Sequence, residues 1–285
     1  MTFGYSTNAF TRHDLYTALE MIANLGFEGG EIMCDQPHLY PPEWHPDQVK
    51  ELKTALQRLN LKVTNLNSFT LYAVGDVILP SWIDDDPMMR QTRIDHTKSC
   101  LHLAATLGCG NISIPPGGRG GLLPEEDALA LFRVGLEQVV PVAEDLGIRL
   151  LIEPEPLLLI ETSRQFEAFI HGFESEFLGC NFDIGHFYCA GEDPAEVFER
   201  LAPWVGHVHV EDIALNRVHE HLIPGLGAVD FDAVFERMAR AGYRGDISLE
   251  LYPYVDRPIE AGRLGRQHLL PILDRNGLVN ARLKA

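Results

Sequence analysis

Positive charge is scarce in this sequence. Lysine and arginine number 23 against 41 aspartates and glutamates, a formal net charge of -18 at pH 7. Nucleic acids and anionic membrane surfaces need a basic footprint. No Lys/Arg cluster supplies one, so neither is an expected partner. Cysteine is scarce too. Cys34, Cys100, Cys109, Cys180 and Cys189 are scattered, odd in number and free of Cys-x-x-Cys spacing. That opposes a disulfide framework and makes a reducing cytoplasm the expected compartment. No run of about 18 apolar residues is present to span a membrane. The opening MTFGYSTNAF lacks the basic region and apolar run of a secretory signal. No Gly-x-Gly-x-x-Gly follows the first expected strand, which argues against an open dinucleotide-binding sheet.

What is present is a regular alternation. Apolar residues make up 46% of the chain, enough for a sizeable core. Strands are expected at Phe3–Asn8, Gly30–Met33, Lys62–Phe69, Asn111–Pro115, Arg149–Glu153, Gly179–Ile184, Val205–Glu211 and Asp246–Leu251. Helices are expected at Thr11–Leu25, Asp47–Leu59, from Asp86 to Leu107, and at Pro124–Leu146. Four more are expected at Thr162–Phe173, Pro194–Leu201, Asp230–Ala241 and Ile259–Leu273. A glycine follows Leu25, Leu107, Leu146 and Ala241, where a left-handed residue ends a helix before the turn into a strand. Eight strand–helix units with no linker or shift in composition predict a single-domain (β/α)8 TIM barrel over residues 1–285.

Chemistry concentrates in Val205–Gly227, VGHVHVEDIALNRVHEHLIPGLG. It carries His207, His209, His219 and His221, with Glu211, Asp212 and Arg217. Strand alternation places His207, His209 and Glu211 on one face. In a TIM barrel the working groups stand at the C-terminal ends of the strands. Those ends offer Glu153 and Glu155 in RLLIEPEP, Asp183 and His186 in NFDIGH, His207 and His209, and Glu250 in ISLELYP. Carboxylates and imidazoles converging from four successive strands suit a divalent ion such as Mn2+, Co2+, Mg2+ or Zn2+.

The phrases IEPEP, NFDIGH, GHVHVED, HLIPGLGAVDF and SLELY together resemble the sugar isomerase/epimerase superfamily of xylose-isomerase-like barrels. That superfamily also holds the ketose 3-epimerases and endonuclease IV. The resemblance implies that Glu153, Asp183, His209 and Glu250 bind the metal, with His207 supporting the site. It implies substrate contacts for His186, Arg217 and His221. The second glutamate of the epimerases corresponds to Glu155 or Glu161. In the endonuclease, positions matching His186 and His221 bind further metal, so His186, His219 and His221 form a possible second-metal set. The endonuclease's other metals use histidines on the second and third strands, where VTNLNSF and NISIPPG have none. Xylose isomerase has E-P-K-P where this chain has E-P-E-P, which removes the lysine that assists a hydride shift.

The implied activity is a metal-dependent isomerase or epimerase of a small sugar-like substrate, with Glu153 and Glu250 as catalytic acid and base. The substrate is a free or phosphorylated sugar. The alternatives are a dehydratase or lyase on a cyclic polyol ketone or dehydroshikimate-like substrate, and an endonuclease IV-like hydrolase. Related barrels often pair, so a homo-oligomer is among the expectations. Phe69, Tyr72 and Trp82 are candidates for a lid over a sugar, and the Pro115–Gly121 loop with Arg119 for a phosphate contact.

Overall fold

The alternating pattern resolves into a closed parallel barrel in the computed structural model of the chain, which describes residues 1–70, 73, 79–118 and 123–279. The strands are β1 (Phe3–Ser6), β2 (Gly29–Met33), β3 (Lys62–Asn67), β4 (Asn111–Ile114), β5 (Arg149–Ile152), β6 (Leu178–Asp183), β7 (Val205–Val210) and β8 (Asp246–Leu249). They are ordered as in the sequence, and β1 closes the ring on β8 with Gly4 opposite Ser248. Around them lie α1 (Leu15–Asn24), α2 (Pro46–Leu59), α3 (Pro87–Leu107), α4 (Glu125–Leu146), α5 (Ser163–Ile170), α6 (Ile184–Cys189), α7 (Pro194–Leu201), α8 (Phe231–Arg240) and α9 (Pro258–Arg275). Two long helices end as expected: Gly108 and Gly147 follow α3 and α4 at φ +79° and +66°. A Cβ there would be strained, which is why glycine stops the helix.

Apolar strand residues such as Ile32, Leu66, Ile112, Ile152, Phe182, Val208 and Ile247 are buried in the main core. The inside of the barrel is polar by contrast. Glu31, Asn65, Ser113, Asn181, His207, His209 and Ser248 are all fully buried. The register slips at two places. Gly30 pairs with Val63 but Ile32 with Leu66, and Cys180 pairs with Val205 but Asn181 with His207. Such bulges re-aim side chains in barrels and sit beside functional sites. Here they flank Glu31 and Asn181.

The strands stop sooner than expected. Residues Thr7–Phe10 form a 3-10 turn, so Asn8 leaves the strand direction. Helix α6 was not expected. Six residues are too few to show helical periodicity, and Asp183 starts the helix by accepting from the His186 backbone N–H. Trp82 is core rather than lid. It is 1% exposed, donates to the Pro115 carbonyl and packs on Phe132 and Gly135. Tyr72 and Arg119 lie outside the described residues. No described helix is long and apolar enough to cross a membrane.

Candidate metal centre

Four side chains meet at the C-terminal mouth of the barrel. Glu153 directly follows β5, Asp183 ends β6, His209 lies near the end of β7, and Glu250 directly follows β8. They are 2%, 0%, 0% and 6% exposed. One donor atom from each lies within 4.8 Å of the others. His209 Nδ1 stands 2.9 Å from Glu153 Oε1, 3.5 Å from Glu250 Oε2 and 3.7 Å from Asp183 Oδ2.

Each of the four has one atom tied down and another turned inward. Asn181 donates to Glu153 Oε2 at 2.8 Å, and Asn8 donates to Glu250 Oε1 at 2.8 Å. Asp183 Oδ1 accepts from the His186 backbone at 2.7 Å, while Oδ2 has no hydrogen-bond partner and lies 3.7 Å from both His209 Nδ1 and His186 Nε2. His209 Nε2 stands 2.7 Å from Glu31 Oε2. The inward atoms are therefore three carboxylate oxygens and one imidazole nitrogen, held by neighbours that occupy their other ends. Buried carboxylates so close together repel unless a cation or protons lie among them. This donor set suits a divalent ion.

The electrostatics agree with that crowding. Burial raises the Glu153 carboxyl, and His209 only partly offsets it. Burial also pushes Glu250 well up, opposed by His209 and reinforced by Glu153. Glu211 is raised well above its ordinary value by burial and then by Asp183. Burial would lower His209, but Glu153, Glu31 and Glu250 outweigh it and hold the ring well above its usual range. Burial works against the Asp183 carboxylate, yet His186, His209 and His221 keep it well below.

A cavity of about 310 Å3 opens above this floor. That is at the small end of the about 300–1,000 Å3 typical of ligand pockets. Glu153, Glu155, Glu250, His186, His219, His221 and Asn8 form its polar side, with Phe69 and Tyr252 among the apolar groups. Glu155 Oε2 has no partner, and burial, then Glu153, raise its carboxyl well up. Glu161 does not line the cavity, so of the two candidate second glutamates Glu155 is the one brought to it. Arg217 is not brought there either. Its guanidinium lies 4.2 Å over the Tyr188 ring and donates to the Tyr188 carbonyl at 2.6 Å. His207 stays below the floor, 3.0 Å from Ser248 Oγ and 3.1 Å from Glu31. Glu211 does not line the cavity but stays at the mouth: it accepts from Gly185 N at 2.6 Å, and one of its oxygens lies within 4.8 Å of donor atoms of Asp183, His221 and Glu250.

Three histidines form the side wall. His186 Nδ1 lies 3.0 Å from the Pro154 carbonyl and His221 Nδ1 3.0 Å from the Glu250 carbonyl. A carbonyl only accepts, so both Nδ1 atoms carry the proton and both Nε2 atoms are left with lone pairs. His219 Nε2 is 3.2 Å from His221 Nε2. Burial lowers His186 to about 3 and His221 to about 4, each partly opposed by Asp183.

Sequence reasoning missed four supporting residues. Glu31 had a signal, an acid inside the buried strand GGEIM. Asn8 and Asn181 had none, because a lone asparagine reads as a strand end. Asp212 was seen only as one more acid. It is 1% exposed and accepts from the backbones of Ile213, Gly225, Gly227 and Val229 at 2.8–3.1 Å. That gathers the loop carrying His219 and His221. A Cβ at Gly227 would fall 2.3 Å from Asp212 Oδ1, so this turn needs glycine. Asp212→Ala leaves four backbone N–H groups, one buried and three part-buried, without their acceptor and is expected to cost about 2 kcal/mol in a denaturant titration. Asp212→Asn should recover part of that loss. An alanine variant as stable as the parent would show that the loop is held elsewhere.

The family model for the xylose isomerase-like TIM barrel matches residues 19–269. An uncharacterised protein of Methanocaldococcus jannaschii is 28% identical over 88% of this chain and 83% of its own. Fructoselysine 3-epimerase of Escherichia coli O157:H7 is 23% identical over 90% of this chain and 93% of its own. Inosose dehydratase of Clostridium botulinum is 24% identical over 50% of this chain, and the match spans about half of that enzyme, 54%. Among solved structures, a D-tagatose 3-epimerase-like protein superposes with TM-score 0.80 at 24% identity, over 96% of this chain and 99% of that one. The IOLI protein, solved with a zinc atom bound, gives TM-score 0.80 at 18% identity over 97% and 99%. At these identities the superpositions speak for the fold.

Proposed function

The chain belongs to the xylose isomerase-like TIM barrel family, and from that membership we propose a divalent-metal-dependent epimerase or isomerase of a small sugar-like ketone. The observation that carries the reading is the arrangement of Glu153, Asp183, His209 and Glu250. Each presents one inward donor while Asn181, the α6 backbone, Glu31 and Asn8 occupy the other end. These four would hold the ion. When bound, it supplies positive charge against the enediolate oxygens that form when the carbon beside a carbonyl loses its proton.

The chain's own residues account for the rest. Glu153 and Glu250 come from strands three apart in the ring, so they approach a substrate on the cavity floor from different sides. One takes the proton from a face of the carbon and the other returns one to the opposite face. Each would be ligand and acid/base together. Asn8 and Asn181 restrict the carboxylates to one free oxygen each. His186, His221 and Glu155 line the cavity where they can hold substrate hydroxyls, and the apolar wall excludes water. Arg217 would reach a substrate only by leaving Tyr188, so a direct contact is not part of this proposal. The likeness to fructoselysine 3-epimerase across nearly its whole length favours epimerisation.

A dehydratase on a cyclic polyol ketone starts with the same proton abstraction and then expels a hydroxyl. The partial likeness to inosose dehydratase favours it as the second reading. Hydrolysis of nucleic acid fits poorly with a net charge of -18. One ring nitrogen from each of His186, His219 and His221 completes a compact donor set that can take a second ion or a substrate hydroxyl. The work is proposed for a reducing cytoplasm, in keeping with five free cysteines.

Metal analysis joined to solvent-deuterium exchange over ketoses, ketose phosphates and cyclic polyol ketones tests this. One equivalent of ion is expected for a single centre and two if the histidine wall binds as well. Deuterium beside the carbonyl with every hydroxyl retained is the expected result. Loss of water would establish the dehydratase instead. No exchange on any member, with metal bound, would end both readings.

A further inference from the structure

We propose that Glu31 is the positioning residue that decides which nitrogen of His209 faces the ion, an inference that rests on the metal-centre reading above. Glu31 lies in β2, 0% exposed, beside the register slip between β2 and β3. Its Oε2 is 2.7 Å from His209 Nε2, 3.1 Å from His207 Nε2 and 3.2 Å from Asn65 Nδ2. A carboxylate accepts and does not donate, so Glu31 holds a proton on His209 Nε2, and Nδ1, 2.9 Å from Glu153 Oε1, is the nitrogen left to give up its proton when an ion takes the centre.

The other neighbours of the ring cannot replace Glu31. Asn181 Nδ2 lies 3.2 Å from His209 Nδ1 and 3.4 Å from Nε2, and an amide nitrogen is a donor, so it offers Nε2 no acceptor. Glu153 Oε1 is an acceptor, but it stands at Nδ1, 2.9 Å away. Without Glu31 these neighbours leave Nε2 no acceptor, and Glu153 Oε1 at 2.9 Å draws the proton of a neutral ring to Nδ1, where it competes with the metal. Glu31 is itself fixed from below. Asn65 also donates to Ser113 Oγ at 2.9 Å. His207 meets Ser248 Oγ at 3.0 Å, and that hydroxyl lies 2.9 Å from Thr64 Oγ1. This column explains why the barrel interior is polar rather than filled with branched apolar residues. It carries the orientation of one ligand down through β2, β3, β4, β7 and β8.

Support of a ligand histidine by a carboxylate is worth roughly 10–100-fold in metal affinity. Zinc affinity, measured by chelator competition, is expected to fall by about that factor in Glu31→Ala. Glu31→Gln keeps an acceptor oxygen in place and should lose only a few-fold. A second readout needs neither metal nor substrate. In 15N-edited spectra of the metal-free full chain, His209 should carry a buried, slowly exchanging proton on Nε2 in the parent and in Glu31→Gln. That proton should be lost in Glu31→Ala. Wild-type zinc affinity in Glu31→Ala, or no Nε2 proton in the parent, would overturn the assignment. If Glu31→Ala does not fold, Glu31→Gln carries the test: affinity and Nε2 proton shift both unchanged would overturn it. The two failures separate. No divalent ion on the parent protein sinks the function proposed above, whereas parental affinity in Glu31→Ala sinks the role of Glu31 alone.

Discussion

Replacing Glu153 or Glu250 by glutamine in the metal-loaded protein is expected to lower epimerisation by about 10^3-fold, within the roughly 10^2–10^4 that a positioned acid or base contributes. That corresponds to about 4 kcal/mol of barrier. The two variants should differ in a diagnostic way. A carbon that loses its proton on one face and regains it on the other needs a group on each side. Each variant should then stop deuterium exchange from one epimer while leaving the other epimer able to exchange, and conversion should fall in both. Glutamine keeps the tethers: its amide oxygen can still accept from Asn181 at position 153 or from Asn8 at position 250. It removes the charge and the proton acceptor. Because each glutamate is also a proposed ligand, the comparison is made at saturating ion with occupancy measured. Exchange of both epimers at the parental rate in a fully loaded variant would remove that residue from the chemistry.

How far the sequence revealed this site follows from what each residue does. Glu153, Asp183, His209 and Glu250 were legible because each ends an apolar strand run, and in a barrel those ends share one mouth. The closed barrel was legible for the same reason, from eight alternations and the glycines after α3 and α4. The tethers were not. Asn8 leaves the strand through a 3-10 turn that no local pattern announces, and it reaches Glu250 across 242 positions. Asn181 and Glu31 depend on register slips between strands, which a single sequence does not display. Arg217 is the opposite case. Its position after the seventh strand suggested a substrate contact, but a loop with φ +60° at that residue sends the guanidinium onto Tyr188. Trp82 was misplaced because an aromatic in an irregular stretch looks exposed. The gap left by Gly135 admits it to the core.

Removing the divalent ion is expected to abolish turnover and to lower thermal stability by an amount that grows with pH. An ion present at about 100 times its dissociation constant stabilises by roughly 2.7 kcal/mol, on the order of 5–10 °C for a chain of this size. The pH dependence follows from the directions of the shifts. Burial, with the neighbouring acids, raises Glu153, Glu155, Glu211 and Glu250. A raised carboxyl contributes stability at low pH that is lost as pH rises through its folded value. His209, also raised, runs in the same direction. Asp183 is lowered, so above neutral pH it is ionised whether the chain is folded or not. His186 and His221, lowered by burial to about 3 and about 4, are neutral in both states once pH exceeds the ordinary histidine value. Of the groups at this mouth only the raised ones bear on the slope above about pH 7, and they should cost the metal-free protein stability as they ionise against one another. A divalent ion needs those same groups deprotonated, so its affinity rises over the same window. The measurement is melting temperature from pH 6 to 9, with a chelator and with excess Mn2+ or Zn2+. The gap between the two curves should widen with pH. Coincident curves at every pH, with activity unaffected by the chelator, would mean that the carboxylates balance their charge through protons alone and that no ion belongs at this mouth.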